Sequence, residues 1–168
     1  MKHKIFSASL FVSASIVLLS FFQNPFAYTL RVMDPATGQP ASMLEKLTAT
    51  LQKGKGKSTT ATAYTISGAK SSIRLKIPKI AFEINSDKST SSMNPADYLV
   101  LYKLKTEKNN RSLLTGESLI PVDFSFVDGA GYRVVPSSGL IPGEYAFIDK
   151  STTAADGSFT VWAFGVDQ

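Results

Sequence analysis

Cysteine is absent from all 168 residues. Its absence excludes disulfides, thiolate metal sites, lipidation on cysteine and a cysteine nucleophile together. Histidine occurs once, as His3 near the N-terminus. The body of the chain thus lacks the commonest general base and the commonest nitrogen ligand for metals. A Ser-His-Asp triad is out of reach for the same reason. Charge of one sign is scarce as well. The formal net charge is +5, and two of those charges, Lys2 and Lys4, belong to the N-terminal segment, which leaves +3 for the body. So mild a balance argues against nucleic acid as a partner. After residue 52 no stretch longer than two turns has convincing helical spacing, and no segment repeats.

What is present favours strands. Hydrophobic residues make up 43% of the chain, enough for a real core, and the abundant Ser, Thr, Val and aromatics suit a pleated sheet. Met1 to Lys4 is a basic start, and Ile5 to Phe22 is an apolar run diluted by Ser7, Ser9, Ser13, Ser15 and Ser20. That pattern predicts a secretory signal over residues 1–27. Ala27 fits the last position before cleavage, although Pro25 stands where a small residue is expected. The alternative is an uncleaved anchor, since the 18 residues from Ile5 to Phe22 just suffice to span a bilayer. Both readings place the body outside the cytoplasm: in the periplasm, outer envelope or extracellular space, or tethered to the inner membrane.

The body divides into an N-terminal β extension with a basic loop, 28–68, and a β-sandwich domain, 69–168. Tyr28 to Met33 alternates like a strand and leads into the turn cluster Asp34 to Pro40. Met43 to Leu51 fits both helical spacing and strand composition. Gln52 to Thr60 is a basic, glycine-broken loop, and Ala61 to Ile66 a short strand. Ile73, Leu75 and Ile77, then Ile80, Phe82 and Ile84, alternate with charged or small residues, as half-buried strands with one wet face do. Tyr98 to Leu104 is apolar on both faces, which suits a central strand, and Arg111 to Leu114 returns as its hairpin partner. In Leu119 to Val127 the inward residues are Ile120, Val122, Phe124 and Phe126, and Pro121 marks an edge or a strand start. Tyr132 to Val135 and Phe159 to Asp167 complete the set.

Leu140-x-Pro142-Gly143-x-Tyr145 has the spacing of a tyrosine corner. Pro142 presets φ, Gly143 permits a positive φ, and the Tyr145 hydroxyl is expected to satisfy backbone a few residues upstream. The predicted fold is therefore an all-β, immunoglobulin-like β-sandwich. Phe147 stands where antibody domains carry their second cysteine, and Trp162 lies in the last strand rather than the third. Ser71-Ser72-Ile73-Arg74, Asp97-Tyr98-x-x-x-Tyr102-Lys103-Leu104, Asn110-Arg111-Ser112-Leu113, Pro142 to Phe147 and Phe164-Gly165-Val166-Asp167 follow one another in a set order. In this the chain resembles a group of exported bacterial proteins of no established activity, over roughly residues 70 to 168. The resemblance implies export and a β-sandwich, and no catalytic residues.

Candidate chemistry is thin. Gly56-Lys57-Ser58 suggests a phosphate loop, but Leu51 occupies the position of the required first glycine. Lys53, Lys55 and Lys57 are the candidates for contact with anionic lipid or glycan, with Lys103, Lys105, Lys108 and Arg111 as possible additions. The carboxylates Asp97, Asp123, Asp128, Glu144, Asp149, Asp156 and Asp167 are scattered, and no spacing singles out a glycosidase pair. Glu144 and Tyr145 face opposite sides of one strand. Asp149 and Asp156 flank the loop before the last strand and are candidates to share a cation. No catalytic residue, metal site or cofactor is assigned. The expectation is a non-catalytic envelope module whose partner is an envelope protein or surface glycan. The alternatives are a carbohydrate-acting or metal-assisted hydrolase and an anionic glycan or lipid binder.

Overall fold

The computed structural model describes residues 28–52, 63–76, 80–86, 94–114, 119–127 and 131–168. The segment 1–27, Lys53, Lys55, Lys57 and Asp128 lie outside the described residues.

The fold is all-β. Its strands are β1 (Tyr28–Met33), β2 (Pro40–Met43), β3 (Glu45–Leu51), β4 (Ala63–Ser67), β5 (Arg74–Lys76), β6 (Phe82–Ser86), β7 (Leu99–Thr106), β8 (Asn110–Leu114), β9 (Leu119–Ile120), β10 (Val122–Val127), β11 (Gly131–Pro136), β12 (Gly143–Asp149) and β13 (Phe159–Asp167). Five of them form an open sheet in the order β10-β11-β6-β1-β2. The others belong to a second sheet, in which β12 pairs with both β13 and β7. That double pairing closes β12-β13-β3-β4-β8-β7 into a six-stranded ring. An immunoglobulin-like sandwich keeps both sheets open, so the all-β class holds while the larger sheet departs from that expected topology.

The sequence explains why β7, β12 and β13 are buried on both faces. One set of their side chains, Leu99, Leu101, Tyr145, Phe147, Trp162, Phe164 and Val166, packs against Leu30, Phe82, Ile84 and Val134 of the open sheet. The alternate set, Leu104, Ala146, Ile148, Phe159, Val161 and Ala163, fills the ring with Ala49, Ile66 and Leu113. A ring of six strands is too narrow for a lumen, and three alanines among its core residues fit that limit. Phe82 and Phe147 meet edge-on across the two layers with centroids 4.9 Å apart. Apolar packing thus occupies the place an inter-sheet disulfide would take.

The ambiguous stretch from Met43 to Leu51 is strand. β2 and β3 are one run of chain, interrupted at the buried Leu44, that passes from the open sheet into the ring. The segment read as an extension thus supplies β1 and β2 to the open sheet and β3 and β4 to the ring. Where β3 leaves β13, β5 takes over the same edge in parallel, pairing Gly165 with Arg74. Pro121 separates β9, which pairs with β7, from β10 at the edge of the open sheet. Two expected exposures differ. Glu83, assigned to a wet face, is only 6% exposed, and Phe126, assigned inward, is 59% exposed.

Candidate functional site

Interior-facing polar residues gather at one mouth of the ring. Arg111 of β8 is 1% exposed, and its guanidinium donates from Nε to the Gly68 carbonyl and from Nη2 to the Ser67 carbonyl, each at 3.0 Å. The same guanidinium lies 3.6 Å from Glu144 Oε2 and 3.7 Å from Glu45 Oε2. Ser71 joins the two acids: its amide donates to Glu144 at 2.8 Å and its hydroxyl to Glu45 at 2.7 Å. The loop from Ser67 to Ser72 is thereby held across the mouth. Its closure is polar.

Arg74 extends this cluster outward. It is paired with Glu144 through Nη1 and with Asp167 through Nη2 and Nε, the latter bonds being 2.5 and 3.2 Å. The guanidinium crosses directly over Gly165, where any Cβ would overlap it. Glycine within an otherwise apolar strand is the one sequence sign of this approach. The bonds from Arg74 hold the Asp167 carboxyl below the usual carboxylate range, helped by the charges of Arg74, Lys70 and Lys76.

Of the acids singled out in sequence, Glu144 and Asp167 converge here, joined by Glu45, which the sequence did not mark. Residues 45, 74, 111, 144 and 167 come from five strands, and no linear spacing could reveal their meeting. Arg111, a possible member of a surface cationic patch by sequence, is buried and contributes nothing to one.

Asp149 and Asp156 have separate local roles. Asp149 is 1% exposed; one oxygen accepts from the Tyr28 hydroxyl at 2.8 Å and the other from the Ser151 amide and hydroxyl. Tyr28 stacks on Trp162 at 4.8 Å and lies 5.9 Å from Tyr98. Burial, with Asp149 close by, pushes the Tyr28 hydroxyl far above its ordinary value and that of Tyr98 up to about 12. Asp156 accepts from the amide and hydroxyl of Ser158 in a turn completed by Gly157 at φ +81°.

The corner residues lie where the chain passes from β11 in the open sheet to β12 in the ring. Leu140 is buried, and the Tyr145 hydroxyl donates to the Ile141 carbonyl at 2.6 Å. Tyr145 faces the interlayer core and Glu144 the ring. Pro142 and Gly143 form the turn between them. Gly143 has φ 157°.

Two open clefts flank the turn after β1. One, of about 410 Å³, is bounded by Met33, Asp34, Ile80, Arg133, Pro136 and Leu140. The other, of about 510 Å³, lies between Ala41 and Ser42 of β2 and Ile73, Arg74 and Leu75 of the β5 segment. Met33, Asp34 and Pro35 line both. Among the described residues no group of three His, Asp or Glu side chains is placed to hold a metal ion.

No family model, curated protein or solved structure matches the chain.

Proposed function

We propose that this chain is an exported, non-catalytic module of the bacterial envelope that works by binding an envelope protein or surface glycan. The observation that carries this reading is the pair of clefts meeting at Met33, Asp34 and Pro35. They are open and lined largely by apolar side chains and loop backbone, and neither Glu144 nor Asp149 is among their lining residues. Those two acids are committed to the fold by Ser71, Arg74, Tyr28 and Ser151. The basic, apolar N-terminal segment supports export, and the resemblance of residues 70–168 to exported bacterial proteins supports the envelope setting. The immunoglobulin-like relationship is kept as part of this reading on the strength of the corner alone.

Crosslinking intact cells and recovering the protein from the envelope fraction tests the role. Covalent capture of a defined envelope component is the expected result. Robust turnover by the purified mature protein, abolished by one carboxylate substitution, would overturn it.

One observation favours a second reading, a carbohydrate-acting or metal-assisted hydrolase: Glu45 and Glu144 converge on Ser71. A glycosidase pair needs one carboxyl free to deliver a proton and a cleft that admits the sugar. Here two arginines and the 67–72 loop occupy that space, so the interaction role is the better supported.

A further inference from the structure

We propose that β10 is a dimerisation edge, which pairs antiparallel with β10 of a second copy and joins two open sheets into one. Such a dimer rests on the reading of the chain as an interaction module and gives that module one partner, a copy of itself.

The inference begins with which strand edges the fold leaves open. Closure of the ring removes the edges of its six strands, as barrels do. Among the described residues the open sheet retains two edges, β2 and β10, and the second sheet carries the short outer strands β9 and β5. Proteins blunt such edges with proline, short length, bulges or charge. β2 has three of these: it is four residues long, begins with Pro40, and its pairing with β1 shifts register between Arg31 and Met33. It is a protected edge.

β10 is built differently. It runs for six residues, Val-Asp-Phe-Ser-Phe-Val, with no internal proline, no lysine and one acid, Asp123. Its pairing with β11 is regular over all six positions, from Val122–Pro136 to Val127–Gly131. The exposed side chains are also of the wrong kind for a solvent edge. Phe126 is 59% exposed and Val127 41%. Phe126 makes an edge-on contact with Tyr132 at 5.4 Å, and Phe124 and Val122 are half-buried on the same face.

The sequence of β10 is self-complementary under a two-fold axis. An antiparallel partner must place residues of the same face opposite one another. A dyad at Ser125 meets that demand. It sets Phe124 opposite Phe126 of the second copy, Asp123 opposite Val127, and Ser125 opposite itself. The two Asp123 carboxylates stay apart, and Pro121 remains outside the paired span. Two-fold pairing is the commonest closed symmetry for identical chains and consumes the open edge without creating a filament.

Light scattering during gel filtration of the purified mature protein tests this, together with two cysteine variants. Because the chain has no cysteine, Ser125→Cys carries one addressable thiol, and Ser42→Cys on the β2 edge is its control. The expected results are a concentration-dependent dimer, covalent dimer formation with a short thiol-reactive linker for Ser125→Cys but not Ser42→Cys, and at least a tenfold weaker dimer for Phe126→Lys. Phe126 is exposed, so the lysine leaves the fold in place, and an unchanged near-ultraviolet spectrum verifies that. A monomer at every concentration up to about 1 mM, the millimolar end of the affinity scale, overturns the inference. So does a dimer indifferent to Phe126→Lys, or one crosslinked equally well through Ser42→Cys. Each of those results leaves the envelope role standing, because that role is decided by capture in cells.

Discussion

Arg74 reaches Glu144 by lying across the backbone of Gly165, so that β5 is fastened to two neighbouring strands by one side chain. The parallel pairing of β5 with β13 covers three residues. The ion pairs and the half-buried Ile73 and Leu75 hold this short strand in place. An isolated exposed ion pair contributes little, but here one acid, Glu144, is buried and also bound by Ser71.

Gly165→Ala should therefore destabilise the protein by about 1–3 kcal/mol, the usual cost of overpacking. Chemical denaturation measures it. In an Arg74→Ala background the same substitution should cost much less, since the obstructing guanidinium is gone. Equal penalties in both backgrounds would mean that the strand itself, and not the arginine, rejects the methyl group.

Tyr145→Phe should cost about 1–3 kcal/mol, because the ring stays packed while the Ile141 carbonyl loses its donor. The denaturation midpoint should fall with no change in slope. A variant as stable as the parent would show that water replaces the hydroxyl and that the corner depends on the ring alone.

Arg111→Met should cost about 1–3 kcal/mol for each of the two backbone carbonyls it leaves without a donor. The methionine matches the aliphatic stem but leaves the Ser67 and Gly68 carbonyls without their donor and removes the cation 3.6 Å from Glu144, which keeps Arg74 and Ser71. Hydrogen exchange should rise first over residues 67–72, the loop that this side chain fastens. A uniform rise across the ring would indicate a purely global effect.

Alkaline stability should follow the buried tyrosines. Tyr28 and Tyr98 have raised folded values, that of Tyr98 to about 12, through burial first and Asp149 second. For a group whose folded value is raised, the contribution is complete below its unfolded value, about 10 for tyrosine, and is lost as pH climbs toward the folded one. Stability should thus decline from about pH 10 upward, with phenolate absorbance appearing as the chain unfolds. Tyr145, which burial also raises, should add to this decline. Phenolate formation by Tyr28 and Tyr98 near pH 10 in the folded state would refute the assignment.

Much of the fold was legible because strands announce themselves by period two. Ile73 and Leu75, Phe82 and Ile84, and Phe124 between Val122 and Phe126 alternate in the chain as they do in space. The bond from the Tyr145 hydroxyl to the Ile141 carbonyl was legible too, since local geometry decides over a span of four residues. Glu83 and Phe126 were not. Whether a strand's outer face is wet depends on what lies over it, and no local pattern reports that.

By itself the sequence determined that this protein is built of strands without disulfides or a body histidine, and where the chain must turn. Only the tertiary structure decided that β12 would find β7 as a second neighbour and close the ring. Backbone pairing carries no label for its partner: a strand apolar on both faces suits the middle of an open sheet and the wall of a closed one equally. That closure brings Arg111 of β8 to Glu144 of β12, whereas Arg74, Asp167, Glu144 and Glu45 are gathered by the pairing of β5, β12 and β3 with β13. The contact of the buried Arg111 with Glu45 and Glu144 is a property of the ring, and no single strand contains it.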